Sequence, residues 1–324
     1  MKNVCITGYG AIGPVHAKAL ENVENARLYA VCDINPDRIN LCREKYAVKA
    51  YGDFDEMLKD SEIDSVHICT PHYLHFDMIR KALEAGKSVV AEKPVTMTGS
   101  QFDELMNTDG SEKICLVLQN RLNPCVQRLK ELVESRELGE IKAVKGILTW
   151  NRAKEYYLSG EWRGRWDTEG GGVLINQAVH TLDFLTYLAG DISSIKANMY
   201  NYSLKDVIET EDTFTAYFGF KSGISGVFFA TNAYSVNSPA EVEIVFEKGT
   251  ARYIYGKLLI NGDTAAEDKK PDTGKDYWGT GHQALLKRYY DKNEFFSLSD
   301  AQNTMKTLFA MYESAKNGGK EINV

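Results

Sequence analysis

The sequence predicts an α/β domain with a doubly wound parallel sheet, followed by an α+β domain with a mainly antiparallel sheet. Over the first 120 residues, short apolar runs alternate with amphipathic stretches, which is typical of strand–helix repeats in a parallel sheet. Beyond residue 120, the apolar runs carry β-branched and aromatic residues and are separated by Gly, Asn, Asp and Ser. A length of 324 residues also suits two domains. We therefore expect domains at residues 1–120 and 121–324.

In the first domain, five apolar runs are interpreted as buried parallel strands with helices between them. The strands are expected at 4–6, 28–32, 66–69, 89–91 and 114–118. The helices are expected at 15–21, 37–46, 54–59, 75–85 and 100–106. In the second domain, strands are expected at 143–150, 214–220, 226–231 and 242–246. Helices are expected there at 128–135, 173–188 and 300–316.

Composition and net charge argue against several classes of protein function. Hydrophobic residues make up 44% and charged residues 26% of the chain, as in ordinary globular proteins. The formal charge of −7 argues against nucleic-acid and anionic-membrane partners. No apolar run approaches the roughly 18 residues of a membrane span, and the N-terminus leads directly into a strand. We expect a cytoplasmic protein without a signal peptide, whose six cysteines are buried thiols rather than disulfides.

A glycine motif follows the first predicted strand. Gly8, Gly10 and Gly13 lie in the sequence Gly8-Tyr9-Gly10-Ala11-Ile12-Gly13, which leads into a helix. Such glycines permit a tight turn, close approach of the backbone to a pyrophosphate, and packing of the helix on the sheet. The phosphates would bind the N–H groups at the helix N-terminus. Asp33 ends the second strand, at the distance from Gly13 where a carboxylate binds the adenosine ribose in Rossmann domains.

These features predict a Rossmann domain that binds NAD. The carboxylate of Asp33 would repel the 2′-phosphate of NADP. Arg38 lies five residues further on and could compensate for that repulsion or stack on the adenine, so the sequence leaves NADP open. The alternative interpretation is a plain strand–helix turn with a surface aspartate.

Two segments carry candidate catalytic residues. Lys93 follows the fourth predicted strand, in Ala91-Glu92-Lys93-Pro94, and the ends of such strands line the ligand crevice of open α/β sheets. A lysine there can bind a substrate hydroxyl and accept its proton, helped by the positive charge of an oxidised nicotinamide. In the second segment, three glycines precede Asn176 and His180, which share one helix face. Solvated lysines and structural histidines are the alternatives.

Metal-binding and hydrolytic interpretations find less support. His67, His72 and His75 fall within nine residues, but their spacing matches no compact zinc motif, so we expect no metal. No G-x-S-x-G motif occurs.

Aromatic and cationic residues are concentrated between Trp150 and Trp166. Aromatic rings stack on the C–H faces of sugars, and arginine binds carboxylate or phosphate in a bidentate manner. We therefore expect a sugar to bind here, and the arginines would suit an acidic or nucleotide-linked one. The alternative is a strand and loop that pack on the cofactor domain or on a neighbouring subunit. Tyr277, Trp278 and His282 are further candidates for the pocket.

The ordered set of motifs resembles the glucose–fructose oxidoreductase / inositol dehydrogenase / rhizopine catabolism (Gfo/Idh/MocA) family. The resemblance spans nearly the whole chain, from the glycine motif through Glu92-Lys93-Pro94 to His180 and Gly281-His282. It implies a Rossmann domain joined to a substrate domain with a large open antiparallel sheet, through which a homo-oligomer, a dimer or tetramer, forms. Members oxidise or reduce a sugar, cyclitol or related polyol with NAD or NADP.

The resemblance also implies roles for individual residues. Lys93 is the acid/base or hydroxyl-binding lysine, and His180 is the second acid/base. Asn176 stands where many members carry aspartate; asparagine orients a hydroxyl but relays no proton, so proton transfer falls to Lys93 or His180. Asn176-Gln177 resembles members that act on nucleotide-sugar acids. The expected cofactor contacts are Gly8, Gly10, Ala11, Ile12, Gly13, Asp33, Arg38, Thr70, Pro71, His75, Glu92, Lys93 and Gln119. The expected substrate contacts are Lys93, Arg152, Tyr156, Trp162, Arg163, Asn176 and His180.

The leading hypothesis is an NAD-dependent dehydrogenase acting on a CH–OH group of a sugar, sugar acid or cyclitol. Two alternatives remain open. One is an NAD(P)-binding sensor or regulator without catalysis, which would need neither Lys93 nor His180. The other is a redox-neutral sugar hydrolase or epimerase, in which the cofactor is reduced and reoxidised within one cycle.

Overall fold

The computed structural model describes residues 1–254, 256–271, 274–275 and 278–324. Tyr277, one of the candidate pocket residues, lies outside the described residues. The chain divides into two compact units. The first contains 1–96, 100–122 and 270–300, and the second contains 97–99, 123–269 and 301–324. The two units therefore do not correspond to a single domain boundary at residue 120, because the chain returns to the first unit over residues 270–300.

The first unit contains a six-stranded parallel sheet with the order β3-β2-β1-β4-β5-β6. The strands are β1 Lys2–Thr7, β2 Ala26–Cys32, β3 Lys49–Tyr51, β4 Ser65–Ile68, β5 Ser88–Ala91 and β6 Ile114–Leu116. This order is that of a Rossmann sheet and confirms the predicted doubly wound fold. Strand β3 was not predicted, because it is a three-residue edge strand, Lys-Ala-Tyr, without an apolar run.

The helices of this region are α1 Gly13–Leu20, α2 Pro36–Tyr46, α3 Phe54–Leu58, α4 His72–Glu84, α5 Gly99–Met106 and α10 Gly281–Lys292. Short 3₁₀ helices span Ser111–Lys113 and Gln119–Leu122. Local sequence determines where two of the helices begin. Pro14 stands in the first turn of α1, where no intrahelical N–H is needed. The side chain of Asn35 caps α2 by accepting hydrogen bonds from the N–H groups of Asp37 and Arg38.

The parallel sheet is buried on both faces. Val4, Cys5 and Ile6 in β1 are fully buried in succession, as expected for a strand with helices on both sides. Leu285 and Leu286 of α10 belong to the same apolar core, which explains why this late segment folds with the first unit. All six cysteines are buried and unpaired, as predicted.

The second unit contains a nine-stranded mixed sheet with the order β14-β13-β12-β11-β7-β10-β9-β8-β15. Only β7 and β10 pair in parallel; the other neighbours are antiparallel, which confirms the predicted class. The strands are β7 Ile141–Thr149, β8 Ile192–Tyr200, β9 Thr213–Phe220, β10 Ser225–Thr231, β11 Glu241–Phe246, β12 Gly249–Ile254, β13 Lys257–Ile260, β14 Asp263–Glu267 and β15 Ile322–Asn323. The helices are α6 Pro124–Ser135, α7 Lys154–Leu158, α8 Val173–Asn176, α9 Val179–Ala189 and α11 Leu298–Lys316.

The single helix predicted over 173–188 is wrong in one respect, because α8 and α9 are separate. The N–H groups of Gln177 and Ala178 both reach back to the carbonyl of Val173, at 3.1 and 2.9 Å. The helical ladder is thereby interrupted, and a new one starts at Val179. Asn176 and His180 consequently lie on different helices rather than on one face of a continuous helix.

Within the described residues, no helix is both long enough and apolar enough to cross a membrane.

Candidate active site

The glycine motif forms the turn between β1 and α1. Gly8 has a positive φ of 86°, and a Cβ atom there would lie 2.7 Å from the carbonyl oxygen of Cys69. At Gly13 a Cβ atom would lie 2.7 Å from the carbonyl oxygen of Gly8. Both contacts are closer than real Cβ atoms approach backbone atoms, so the fold itself requires these two glycines.

Gly10 differs from its two neighbours in the motif. Among the described residues, a Cβ atom there would meet Nη1 of Arg38 alone, at 3.8 Å, and its φ needs no glycine. Protein packing therefore does not explain Gly10, whereas close approach of a pyrophosphate does. The loop lies at the N-terminus of α1, which Ile12 precedes as the N-cap residue. The residues present thus fit a dinucleotide.

Asp33 holds the glycine loop in place and can still accept further hydrogen bonds. Its Oδ2 accepts a hydrogen bond from the N–H of Tyr9 at 2.7 Å, and its Oδ1 accepts one from Asn35 at 2.8 Å. Nη1 of Arg38 lies 3.7 Å from Oδ2. A carboxylate has about four lone-pair sites, so capacity for ribose hydroxyls remains.

Gln119 supplies a second indication of a ligand. Its side chain is buried, and within the described part of the chain no partner satisfies its Oε1 atom. Buried polar atoms without partners are rare in folded proteins and call for an explanation such as a bound group. A ligand amide, such as that of nicotinamide, would provide the missing donor.

The loops after β4 and β5 are joined by His75. Its ring nitrogens lie 2.8 Å from the carbonyl oxygens of Thr70 and Pro94, and the ring is buried. Burial lowers the pKa of His75. Both ring nitrogens face backbone carbonyls, and the expected contact of His75 with a cofactor stays a prediction. Its evident role is to hold Thr70-Pro71 beside the segment that carries Lys93.

Glu92 is buried in a polar cluster beneath Lys93. Its Oε1 lies 3.0 Å from Nε2 of His16 and 3.5 Å from Nε2 of His282, and its Oε2 is 3.3 Å from the N–H of Lys93. Burial alone would raise the pKa of Glu92, but the two histidines hold it well below its usual range. Glu92 thus faces the protein interior, and Lys93 itself is half-buried at the end of β5.

The cluster continues away from Glu92. Nδ1 of His16 lies 2.9 Å from Nδ1 of His67, and Nε2 of His67 lies 2.8 Å from the hydroxyl of Tyr290. These contacts tie α1, β4, β5 and α10 together. The ligand atoms of His16, Glu92 and His282 all lie within 4.8 Å of one another, so among the described residues this group has the geometry to hold a metal ion. The absence of a metal remains a prediction.

In the second unit, one cluster around Tyr156 contains four of the expected aromatic and cationic residues: Trp150, Arg152, Trp162 and Arg163. The guanidinium of Arg163 lies 4.5 Å from the ring centre of Tyr156 and 4.6 Å from that of Trp162. Arg152 stacks over Trp150 at 4.6 Å and lies 5.4 Å from the Tyr156 ring. Nη1 of Arg163 also donates to the hydroxyl of Tyr156 at 2.8 Å.

Asn176, at the end of α8, belongs to the same cluster. Its Nδ2 donates to Oε1 of Glu169 and lies 3.4 Å from the hydroxyl of Tyr156. The other Glu169 oxygen accepts the N–H of Gly164. Burial raises the pKa of Glu169 to about 7 despite these hydrogen bonds. Glu169 was not predicted as a site residue, because its partners Gly164 and Asn176 approach it only once the loop is folded.

Internal packing requires the last two of the three glycines after Glu169. A Cβ atom on Gly171 would overlap the hydroxyl of Tyr312, and one on Gly172 would overlap the backbone of Glu211. The carboxylate of Glu211 accepts the N–H of Gly172 at 3.0 Å and the O–H of Tyr312 at 2.9 Å. Burial raises the pKa of Glu211 to about 7.

His180 and Asp183 both lie on α9 but in different surroundings. His180 is half-buried in the first turn of the helix. Asp183 is buried, and its Oδ1 accepts a hydrogen bond from the hydroxyl of Thr304 on α11 at 2.7 Å. Asp183 therefore joins two helices, and the catalytic role of His180 stays a prediction.

Comparison with known protein families shows to which family the chain belongs. Residues 2–118 match the GFO_IDH_MocA oxidoreductase family with an NAD-binding Rossmann fold, and residues 126–252 match the GFO/IDH/MocA C-terminal domain. The chain belongs to the Gfo/Idh/MocA family. The resemblance inferred from its motifs is thus confirmed, and so is its assignment as an NAD-dependent oxidoreductase.

Individual relatives in this family are named dehydrogenases. Myo-inositol 2-dehydrogenase of Thermotoga maritima is 25% identical over 292 residues, covering 88% of this chain and 83% of the relative. Levoglucosan dehydrogenase of Pseudarthrobacter phenanthrenivorans is 26% identical over 208 residues, covering 60% and 53%. The structure of the WlbA dehydrogenase from Bordetella pertussis, in complex with NADH and UDP-GlcNAcA, is 26% identical with a TM-score of 0.89. It covers 100% of this chain and 97% of that one.

Proposed function

We propose that this Gfo/Idh/MocA protein transfers a hydride between NAD and a hydroxyl- or keto-bearing carbon of a sugar, sugar acid or cyclitol. The observation that carries the proposal is the polar cluster of Tyr156, Arg163 and Asn176, flanked by Trp162 and Arg152. Aromatic faces suit the C–H surface of a sugar ring, and hydroxyl, amide and guanidinium groups suit its oxygens. The relatives named for myo-inositol, levoglucosan and UDP-GlcNAcA support the same class of substrate.

In the proposed mechanism, bound NAD⁺ supplies the hydride acceptor, and side chains of this chain move the proton. Lys93, when neutral, binds the substrate hydroxyl through Nζ and accepts its proton as the C–H bond breaks. The oxidised substrate is a ketone, and the reverse reaction returns the same proton. His180 serves as the second acid/base. Asn176 orients a hydroxyl but carries no proton, because an amide does not titrate in this range.

The glycine motif and Asp33 would hold the cofactor of this reaction. The contacts proposed are the backbone of Gly8 to Gly13 for the pyrophosphate and Asp33 for the adenosine ribose. Arg38 would stack near the adenine, and Thr70, Pro71 and Gln119 would line the nicotinamide side. His75, Glu92 and the cluster beneath Lys93 would support this region from behind.

We further propose that the protein forms a dimer or tetramer through the sheet of the second unit. Tyr217 of β9 and Val227 of β10 are directly paired across the strands, and both are large and exposed, at 56% and 43%. Exposed apolar side chains that adjoin on a sheet face are typical of protein interfaces.

The direct experiment is a substrate screen with NAD⁺. Purified protein, freed of bound nucleotide, is mixed with NAD⁺ and with myo-inositol, levoglucosan, UDP-GlcNAcA or a set of aldoses and sugar acids. The proposal expects NADH to accumulate with at least one of these polyols. If NAD⁺ binds but none of them is oxidised, and none of the corresponding ketones is reduced, the proposed reaction is wrong.

A further inference from the structure

Two histidines and a glutamate meet in the interior of the first unit. His16 of α1, Glu92 after β5 and His282 of α10 are all buried, and their ligand atoms lie within 4.8 Å of one another. Nε2 of His16 is 3.0 Å and Nε2 of His282 is 3.5 Å from the same oxygen, Oε1 of Glu92. Two ligands of one tetrahedral Zn²⁺, each about 2.0–2.2 Å from the ion, lie roughly 3.3–3.6 Å apart. These two separations therefore suit ligands that share one ion.

Hydrogen bonding does not explain the position of His282. The residue is 5% exposed, and among the described residues neither its Nδ1 nor its Nε2 has a hydrogen-bond partner. The approach of Nε2 to Glu92, at 3.5 Å, is longer than an ordinary hydrogen bond. Unpaired buried polar atoms are costly and call for an explanation such as a bound ion. A metal ion between Nε2 and Glu92 would supply the partner.

His16 has the supporting hydrogen bonds that a metal ligand requires. A histidine that binds a metal through one ring nitrogen carries its hydrogen on the other, and that N–H donates to a neighbouring acceptor. Nδ1 of His16 lies 2.9 Å from Nδ1 of His67, and Nε2 of His67 lies 2.8 Å from the hydroxyl of Tyr290. With Nε2 of His16 on the ion, its Nδ1–H donates to His67, and the Nε2–H of His67 donates to Tyr290. One consistent set of hydrogen bonds thus supports the ligand.

The ligand chemistry and the access from solvent also suit a divalent ion. Two imidazoles and one carboxylate, with the fourth position open to water, are a ligand set that Zn²⁺ takes in proteins. A surface pocket is lined by Val15, Asn22, Thr280 and Gln283, and His282 lines it as well. An ion and its water can therefore enter from solvent past the ring of His282.

We propose that His16, Glu92 and His282 form a zinc site that fastens α10 to α1 and to the end of β5. Nε2 of each histidine and Oε1 of Glu92 bind the ion, and a water molecule completes the tetrahedron. The site departs from the sequence-based prediction of no metal, which weighed histidines that are close together in the chain. Its ligands come from three elements that only the fold brings together. The inference does not depend on the proposed function, because the ion takes no part in hydride or proton transfer.

The direct test is zinc binding to the whole protein. Protein freed of metals by a chelator, and of any affinity tag, is titrated calorimetrically with Zn²⁺. We expect one ion per chain with a Kd below about 10 µM, because the three ligands are already assembled in the fold. At a hundredfold excess over Kd, the Tm should rise by about 5 °C or more. Weaker binding, or no rise in Tm, overturns the site.

The variant His282→Gln removes one ligand and keeps a polar side chain. It should weaken Zn²⁺ binding by about 100-fold or more. In the absence of metal, its Tm should stay within about 2 °C of metal-free wild type, because the substitution breaks no hydrogen bond of His282. A merely structural histidine would instead lower the Tm of the metal-free protein. The control is His180→Gln, which removes a histidine from the second unit and should bind Zn²⁺ like the wild type. Unchanged affinity in His282→Gln overturns the site.

Diffraction at the zinc absorption edge tests the wild-type protein without any substitution. Crystals soaked in Zn²⁺ should show an anomalous peak about 2.0–2.2 Å from Nε2 of His16, Oε1 of Glu92 and Nε2 of His282. A peak elsewhere and none here, which would mark an adventitious ion only, overturns the site even where calorimetry finds one ion bound. None of these measurements uses NAD⁺ or a sugar, so loss of the zinc site leaves the proposed dehydrogenase intact.

Discussion

Lys93 is the residue on which the proposed chemistry depends most directly. It follows the buried strand β5, and its backbone N–H lies 3.3 Å from the carboxylate of Glu92. Glu92 is in turn held by His16, so the start of the Lys93 loop is anchored to α1. A catalytic lysine needs this anchoring, because an error of about 1 Å in position can cost two orders of magnitude in rate.

Replacing Lys93 tests its proposed role in proton transfer. Lys93→Ala should lower kcat by about 10²- to 10⁴-fold, the usual contribution of a general acid/base. The affinity for NAD⁺ should change by less than about threefold, because the glycine motif and Asp33 supply most of the proposed contacts. Rates of NADH formation and a nucleotide-binding titration measure the two effects, with Lys113→Ala, an exposed lysine, as the control. Turnover like that of the wild type would contradict the role.

Sequence patterns identified site residues whose role is evident from their neighbours in the chain. They did not identify residues whose role depends on partners elsewhere in the chain. Tyr156, Arg163 and Asn176 were expected at the substrate, and the structure places them in one cluster. Glu169 was overlooked, because a glutamate before a glycine run resembles a surface residue until Asn176 folds against it. The contact of His75 with the carbonyl of Pro94 was likewise not predicted, because Pro94 lies on the next strand's loop and approaches His75 only in the folded protein.

At the scale of elements, the connection into α8 is stabilised by two buried carboxyl groups. Glu169 accepts the N–H of Gly164, and Glu211 accepts those of Gly172 and Leu174. Burial raises the pKa of each to about 7 from an ordinary value of 4.5. The native protein therefore holds protons that the unfolded chain has already released between pH 4.5 and 7. Each carboxyl group thus makes unfolding easier as pH rises through this window.

Glu211→Gln isolates this effect. Glutamine is neutral at every pH, so the unfolding free energy of the variant relative to wild type should increase by roughly 1–3 kcal/mol between pH 5 and pH 8. The other titratable groups close to Glu211 are the carboxyl group of Glu169 and the hydroxyl of Tyr312. Denaturant midpoints measured across the pH range give the difference, and Glu161→Gln on the surface is the control. A difference independent of pH would show that Glu211 is already ionised at pH 5.

Elements with a long apolar pattern were predicted correctly, whereas those defined by tertiary contacts were not. Local periodicity predicted β1, β2, β4 to β7 and β9 to β11 as well as α2, α6 and α11, but it did not predict β8 or β12 to β15. The edge strand β3 carries no such pattern, and the gap between α8 and α9 arises from backbone hydrogen bonds to Val173. Helix α10 belongs to the first unit because Leu285 and Leu286 complete its core, which periodicity along the chain cannot reveal.

At the scale of the whole molecule, the proposed self-association uses the sheet of the second unit, where Tyr217 and Val227 are exposed. Tyr217 pairs with Val227 across β9 and β10, and Lys196 of β8 adjoins Tyr217 on the same surface. The double variant Tyr217→Lys/Val227→Lys should convert a dimer or tetramer into monomers, because it places unpaired charges in a closed interface. Sedimentation measures the mass, and Leu41→Lys on α2 is the exposed control. An unchanged mass, or a wild-type protein that is monomeric, would contradict assembly through this face.

The family match and the Rossmann fold establish an NAD-dependent oxidoreductase, while the substrate class and the direction of proton transfer are proposals. The sensor and the redox-neutral enzyme named as alternatives differ from a dehydrogenase in the fate of the hydride. A sensor transfers none, and a redox-neutral enzyme returns it to the substrate before release.

The most direct measurement therefore follows the hydride itself. NAD⁺-loaded protein is mixed with myo-inositol, levoglucosan or UDP-GlcNAcA that carries deuterium on its ring carbons, and the released nicotinamide nucleotide is analysed by mass spectrometry. A dehydrogenase of the proposed kind releases NADH with one deuterium in the nicotinamide ring, in step with a ketone product. Bound NAD⁺ that stays unreduced with every polyol, or product formed without net release of labelled NADH, would contradict the proposed reaction.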